Sequence, residues 1–288
     1  MATNDSDAVY LFERTELERQ RLNQQHALLV RLCHNHLLHP SIPRAQMKRI
    51  ADVGTGTGIW LQQASCSLTT AATADSAAPP VACVGFDISD AHFPSAPREN
   101  MTFIKHDMLK PFPQEYRGTF DLVHLRLMVL ALKKDQIATA AKNAAALLKP
   151  GGHIQWSEVE PAKLGFTPTT PAITAARAAM RANSVANGLA TTPSVDIRAA
   201  LEALSFTDLT VEDYNSAGRD EFTVPAREWT KAGARASLRV ALARSRQDGG
   251  EEMADTLLDD YVRDIDAGVV PTLPLAMVLG RKGKDGAV

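Results

Sequence analysis

At 288 residues, with 45% apolar side chains, the chain is long enough for one large α/β domain with insertions, or for a domain with a small cap. A formal net charge of −2 gives no general attraction to nucleic acid or to an anionic membrane, and no apolar run approaches the ~20 residues of a bilayer span. Cys33, Cys66 and Cys83 share neither a CxxC nor a metal-ligand spacing, so they read as reduced cytoplasmic thiols and no metal is expected.

Residues 1–9 are polar and acidic, unlike a signal peptide, and the first eight are expected to fray. Thr15-Glu16-Leu17-Glu18 spells a capping box, and Leu17, Leu22, Leu29, Leu32 and Leu37 form an apolar stripe at near-helical spacing. The helix is expected to reach about His36, before Pro40 and Pro43 stop it. Arg21-Leu22-Asn23-Gln24-Gln25-His26 reads either as a solvated face or as a ligand contact through Gln25 or His26. His34, His36 and His39 have no carboxylate or cysteine at ligand spacing and read as helix-end and loop residues.

The stretch 49–61, RIADVGTGTGIWL, reads as a buried strand, a tight glycine turn and the start of a helix. Bare backbone beside a helix N-terminus lets a nucleotide approach closely. The dinucleotide fingerprint G-x-G-x-x-G fails here: counted from Gly54 or Gly56, the third glycine is replaced by Ile59 or Leu61. Asp52, two positions before Gly54, would repel a pyrophosphate but suits the ammonium of an amino acid. Residues 65–80 are rich in Ala, Thr and Ser and read as a low-complexity surface insertion. The run 81–87, VACVGFD, is expected to be a second strand ending on Asp87, a turn former or a carboxylate placed to accept hydrogen bonds from a ribose diol. Its distance from Gly58 exceeds the usual ~20 residues, which the insertion explains.

Residues 101–108 form a third strand and its exit, with Asp107 open to an Asx turn. The fourth strand, 120–126 (FDLVHLR), puts His124 and Arg126 on one side. Asp135 is expected to cap a helix through Ala138, Ala141, Ala145 and Leu148, ended by Lys149-Pro150-Gly151-Gly152. A fifth strand, 153–158, ends on Glu158, with Trp156 either packed in the sheet or lining a pocket. Pro171 then opens a helix to about Asn187 carrying Met180, Asn183 and Val185, and Ser194 caps another through Leu204. Alternation over 206–214 predicts a strand; 225–246 and 251–267 predict helices flanking Asp248-Gly249-Gly250. Residues 273–280 give a last strand before a basic, disordered tail, and the final two strands are expected to pair antiparallel at the sheet edge.

The D-x-G-x-G-x-G run resembles the first motif of the class I S-adenosylmethionine-dependent methyltransferases. More narrowly, RLNxQH, LHPSIP, ADVGTGTGIW, GFDIS, FDLVHLR and LLKPGGHIQWSE, spread over residues 21–158, are similar to runs of the fungal secondary-metabolism methyltransferases. The resemblance implies a Rossmann-like α/β fold with a seven-stranded, mostly parallel sheet whose last strand is antiparallel. It implies an N-terminal helical lid over 1–45 and a methyltransferase domain over 46–288. That domain would have its core at 46–160 and helical cap insertions at about 165–200 and 225–267.

By the same resemblance, S-adenosylmethionine is expected at Asp52, Gly54, Thr55, Gly56, Gly58, Asp87 and Ile88. Asp107, Met108, His124 and Gln25 complete that expected cofactor set, with S-adenosylhomocysteine as product. The tip of the fourth strand faces the transferring methyl in this fold. His124 is therefore the first candidate base, since an unperturbed imidazole titrates near 6.5; Glu158 and His26 follow. Arg126, Trp156 and Met180 are expected on the substrate, Arg126 pairing either a substrate carboxylate or Glu158. The acceptor would be an oxygen or nitrogen of a small secondary metabolite, handled by a cytoplasmic monomer or homodimer with no nucleic-acid or membrane partner. Two other readings stay open: a non-methylating cyclisation or rearrangement with the cofactor retained, and a regulatory protein acting through partners.

Overall fold

The computed structural model describes residues 16–71, 80–243 and 250–284. Seven strands form the main sheet: β1 (Arg49–Val53), β2 (Ala82–Asp87), β3 (Met101–Lys105), β4 (Phe120–Arg126), β5 (Leu148–Val159), β7 (Thr207–Asn215) and β9 (Pro274–Arg281). Their order is β3-β2-β1-β4-β5-β9-β7, and β9 runs antiparallel to both of its neighbours. The expected antiparallel pairing of the last two strands is therefore present, with β9 inside and β7 at the edge. The near-continuous apolar run of β9 suits its position, buried on both faces.

Strand alternation sorts side chains into two layers. Ile50, Leu122, Leu275, Met277 and Leu279 face α1 (Glu16–Leu32) and α2 (Ile59–Ala71), where Leu29, Leu32, Trp60 and Leu61 complete one core. Ala51, Val53, Val123, Leu125, Ile154 and Trp156 face α3 (Ile137–Leu147) and α5 (Pro193–Ala203), packing against Ala141, Ala145 and Leu201. A third cluster joins α4 (Pro171–Ala186), α6 (Thr223–Ala243) and α7 (Gly250–Asp266), centred on Ile173, Ala234, Leu238 and Tyr261. A two-stranded sheet, β6 (Gly165–Thr167) with β8 (Val270–Thr272), closes this cap, and three-residue strands leave no periodic signal in the sequence.

Several boundaries differ from expectation. α1 ends at Leu32, because His34 and Asn35 turn left-handed at φ 55° and 62°. Leu17 is 77% exposed and belongs to no apolar stripe, while Thr15 of the expected capping box lies outside the described residues. The low-complexity stretch begins later than residue 65: α2 runs on to Ala71, with Ser65 and Leu68 buried. Residues 72–79 are outside the described set, as are Asp248 and Gly249.

A 3-10 turn, Lys134–Gln136, precedes α3, and the Gln136 side chain, not Asp135, accepts from the Lys133 amide. Leu148 already pairs with Phe120, so Lys149-Pro150-Gly151-Gly152 lies within β5 instead of ending a helix. Thr192 is the N-cap residue of α5, and the Ser194 amide is held by Glu160. The basic tail is anchored as far as it is described: Lys282 Nζ donates to the carbonyls of Ala145 and Leu148 at the C-terminus of α3.

Gly58 is a position where the fold requires a glycine. Its φ is +71°, and an added Cβ would stand 2.6 Å from the Phe103 ring of β3. Gly58→Ala is expected to cost about 1–2 kcal/mol from the left-handed backbone alone, plus the displacement of Phe103. Urea unfolding should show a lowered midpoint with an unchanged slope; an unchanged midpoint would contradict this account.

Candidate functional site

A cavity of about 560 Å³ opens at the C-terminal ends of β1, β2 and β4. The strand order reverses between β1 and β4, which is where open α/β sheets bind ligands. One end is walled by Asp52, Gly54, Thr55, Gly56, Thr57 and Asp87; the other reaches α4, α6 and α7 through Met180, Trp229 and Tyr261.

The glycine turn is fixed from several sides. Gly54, Gly56 and Gly58 all have positive φ, and the amides of Gly54 and Thr55 both donate to the Phe86 carbonyl. Asp87 at the tip of β2 accepts from the Gly56 amide at 2.8 Å and from the Ser89 amide at 3.1 Å. Burial raises its pKa, and those amide bonds act in the opposite sense. α1 is tied to the turn by Thr57, whose hydroxyl donates to Asn23, and it contributes Arg21, Leu22 and Gln25 to the wall.

Asp52 and His124 are register partners on adjacent parallel strands, so their side chains meet: Nδ1 lies 2.8 Å from Asp52 Oδ1. Oδ2 of Asp52 accepts from the Thr55 hydroxyl at 2.7 Å. The His124 ring stacks on Trp60 with centroids 3.7 Å apart and planes 2° from parallel. Burial lowers the His124 pKa despite the carboxylate, so the ring is neutral and donates from Nδ1. Arg126, two residues on, is placed on the same side as expected. Its guanidinium donates to His26 Nδ1 at 3.0 Å, which leaves His26 Nε2–H to donate to Gln63 at 2.9 Å.

Two candidate bases are not on the cavity wall. His26 is buried with both ring nitrogens engaged, and burial together with Arg126 lowers its pKa to about 4. Glu158 and Trp156 follow the alternation of β5 toward the α3 layer, because Gln155 and Ser157 are the register partners of His124 and Arg126. Trp156 is core, and its indole N–H donates to Glu158 Oε1. Arg126 therefore pairs with His26 and not with Glu158.

Glu158 has a different task. Its two oxygens accept from the amides of Met128 and Val129, at 2.7 and 3.0 Å, pinning the loop that leaves β4. Leu127 starts that loop at φ 59°, and residues 127–131 all line the cavity. Burial pushes Glu158 up to about 7 in spite of three N–H donors.

Four expected cofactor contacts lie off the wall, Gly58 among them, where the space beside its Cα is taken by the Phe103 ring. Ile88 is 38% exposed; Asp107 forms the Asx turn, accepting from the Leu109 amide at 3.0 Å; Met108 packs beside the second core. Met180 is on the wall, as expected. The sequence reading missed the 127–131 loop, Trp229, Tyr261, and Arg177 and Arg181 of α4. Arg177, Met180, Arg181 and Ser184 recur at helical spacing, a signal that was present but gave no chemistry by itself.

Among the described residues no helix is long and apolar enough to cross a membrane, and no three His, Cys, Asp or Glu side chains gather as a metal site.

The sheet order with its reversed β9, and the glycine turn facing a carboxylate at the tip of β2, define the class I S-adenosylmethionine-dependent methyltransferase fold. The sequence profile of the methyltransferase-domain family matches residues 23–211, more than half of the chain, and the chain belongs to that family. It is 44% identical over 154 residues to methyltransferase grgD of Penicillium sp, covering 54% of this chain and 53% of that protein. It is 34% identical over 149 residues to N-methyltransferase sirN of Leptosphaeria maculans, covering 52% and 49%. With N-methyltransferase gliN of Aspergillus fumigatus it shares 33% identity over 156 residues, covering 54% and 51%. The chain thus matches about half the length of these curated relatives. One chain of the complex between the Haloferax volcanii Trm112 methyltransferase activator and a methyltransferase superposes with a TM-score of 0.53. At 12% identity, with 98% of this chain and 100% of that one covered, the likeness is one of fold.

The Glu158 environment has a measurable signature. Between about pH 4.5 and 7 the folded protein holds a proton on Glu158 that the unfolded chain has released, so raising the pH costs stability there. Glu158→Gln cannot titrate, so the stability of the wild type relative to this variant should fall across that window. Denaturation midpoints of the two proteins that stay parallel from pH 4.5 to 7 would rule out the buried, titrating carboxyl.

Proposed function

We propose that the protein transfers the methyl group of S-adenosylmethionine to a nitrogen or oxygen of a small acceptor. One observation carries this reading: a single cavity joins the bare glycine turn and its two carboxylates to a largely apolar chamber under the cap. The residues at the turn fit the cofactor. Gly54 and Gly56 line the cavity with backbone alone, and both have the positive φ that favours glycine. Each Asp87 oxygen accepts one amide and keeps a lone pair for a ribose hydroxyl.

When bound, S-adenosylmethionine supplies a sulfonium-activated methyl group as electrophile. The chain's contribution is to bind, orient and exclude water. Asp87 would accept from the ribose diol, and Asp52, held by His124 and Thr55, would face the ammonium of the amino-acid part. Gln25 and Arg21 would cover it from α1. The loop 127–131, pinned by Glu158, would hold the acceptor's reacting atom opposite the methyl. Of the three candidate bases, His124 stands on the wall, while His26 and Glu158 are elsewhere. With Nδ1–H given to Asp52, the Nε2 lone pair of His124 would take a proton released by the acceptor, with a basicity that burial lowers. The lowered basicity favours an acceptor whose lone pair is already available near neutral pH. The N-methyltransferases sirN and gliN support nitrogen as an acceptor atom beside oxygen.

Titration calorimetry should show binding of S-adenosylmethionine and S-adenosylhomocysteine but not of NADH. Asp87→Ala removes two charge-assisted hydrogen bonds of about 1.5–3 kcal/mol each, so affinity should drop by about a hundredfold or more. An Asp87→Ala variant that still binds S-adenosylhomocysteine like the wild type would take the ribose assignment down. Methyl transfer itself is read by mass spectrometry of acceptors incubated with labelled cofactor.

A further inference from the structure

The charges on the cavity wall are unevenly distributed. Among the described residues that line it there are four arginines and two aspartates, with no glutamate and no lysine. Both aspartates sit at the glycine-turn end and are already engaged: Asp52 by His124 and Thr55, Asp87 by two backbone amides. Arg21 makes a two-pronged ion pair with Glu18 at 2.7 and 2.8 Å, and Arg126 is bonded to His26.

Arg177 and Arg181 are different. They lie one turn apart on α4, at the chamber end, with Met180 and Ser184 on the same wall. Arg177 is half-buried, with its guanidinium 5.7 Å from the centroid of the Phe166 ring. Among the described residues no carboxylate lies within ion-pair distance of either arginine. The cap does hold acids, but they serve other partners: Asp266 and Glu228 bind Lys231, and Asp264 accepts from Thr170. A half-buried guanidinium facing an apolar chamber without an anion is costly, and its planar fork matches a carboxylate.

We infer that the acceptor carries a carboxylate on an otherwise apolar body, and that Arg177, assisted by Arg181, holds that carboxylate in the chamber under the cap. This deepens the methyl-transfer reading and rests on it. Trp229, Ala234 and Tyr261 supply the apolar surface for the body, while the guanidinium fixes its orientation relative to the cofactor end.

The test uses the full chain saturated with S-adenosylhomocysteine and a matched pair of probes, 2-naphthoate and 2-naphthalenemethanol. The carboxylate is expected to bind about tenfold tighter than the alcohol, the discrimination that one charge-assisted fork supplies. Arg177→Gln should bring the two affinities together, and Arg177→Lys, which keeps the charge but loses the fork, should fall between. Arg181→Gln should reduce the preference by a smaller factor, and added salt should reduce it in the wild type. Equal binding of the two probes, no binding of either, or a preference that survives Arg177→Gln would each overturn the inference. Should Arg177→Gln fail to fold, judged by thermal unfolding, the wild-type preference and its reduction in Arg181→Gln decide the matter. S-adenosylhomocysteine is titrated separately into every variant. Its failure to bind would count against the cofactor reading, whereas normal binding without a carboxylate preference counts against the inference alone.

Discussion

The contact between Asp52 and His124 is where the elements around the cavity meet. Parallel pairing of β1 with β4 sets the two side chains opposite each other, and both are buried. From this pair the constraints spread outward. Thr55 ties the carboxylate to the glycine turn, and the stack on Trp60 ties the imidazole to α2. Trp60 in turn donates from its indole nitrogen to the Leu37 carbonyl, in the chain that follows α1. Removing His124 would leave the buried Asp52 carboxylate short of one donor, at a cost on the order of 1–3 kcal/mol. The turn is thus held by side chains from the sheet and the neighbouring helix as well as by its own backbone.

A second chain of contacts joins the N-terminal helix to the same floor. Arg126 at the tip of β4 donates to His26, and His26 donates to Gln63 of α2. Histidine serves here as a neutral bridge between a cation and an amide, a role that depends on its lowered pKa. α1 therefore covers the glycine turn through Asn23 at one point and grips the sheet through His26 one turn later.

Much of this was legible in the sequence, and the reason is locality. The glycine turn, Asp52, Asp87 and the FDLVHLR strand each declare themselves within a few residues, and they place the first strands along the chain. What escaped was governed by register and by tertiary neighbours. Whether Glu158 points at the cavity or away from it depends on which β5 residue pairs with His124, and that register is decided by the whole sheet. Asp107 reads the same as ligand or as turn former until the Leu109 amide is seen against it. The chamber end was the least legible. Its wall joins α4 to α6 and α7, which begin 37 and 64 positions after α4 ends, and α6 and α7 fall beyond residue 211, where the family match ends. The glycine-turn end of the cavity is thus built from the part of the chain that the family profile matches, and the chamber end draws on helices beyond it.

The three tryptophans happen to divide the molecule into separate optical compartments. Trp60 lies face to face with an imidazole at the floor beside the glycine turn, and Trp229 stands in the chamber wall. Trp156 is sealed in the opposite layer, with its N–H on a buried carboxyl. Emission from an indole depends on the charges and solvent around it. A set of variants that each keep one tryptophan would therefore give three independent reporters in one fold: one at the glycine turn, one in the chamber, and one distant from both that registers the integrity of the core.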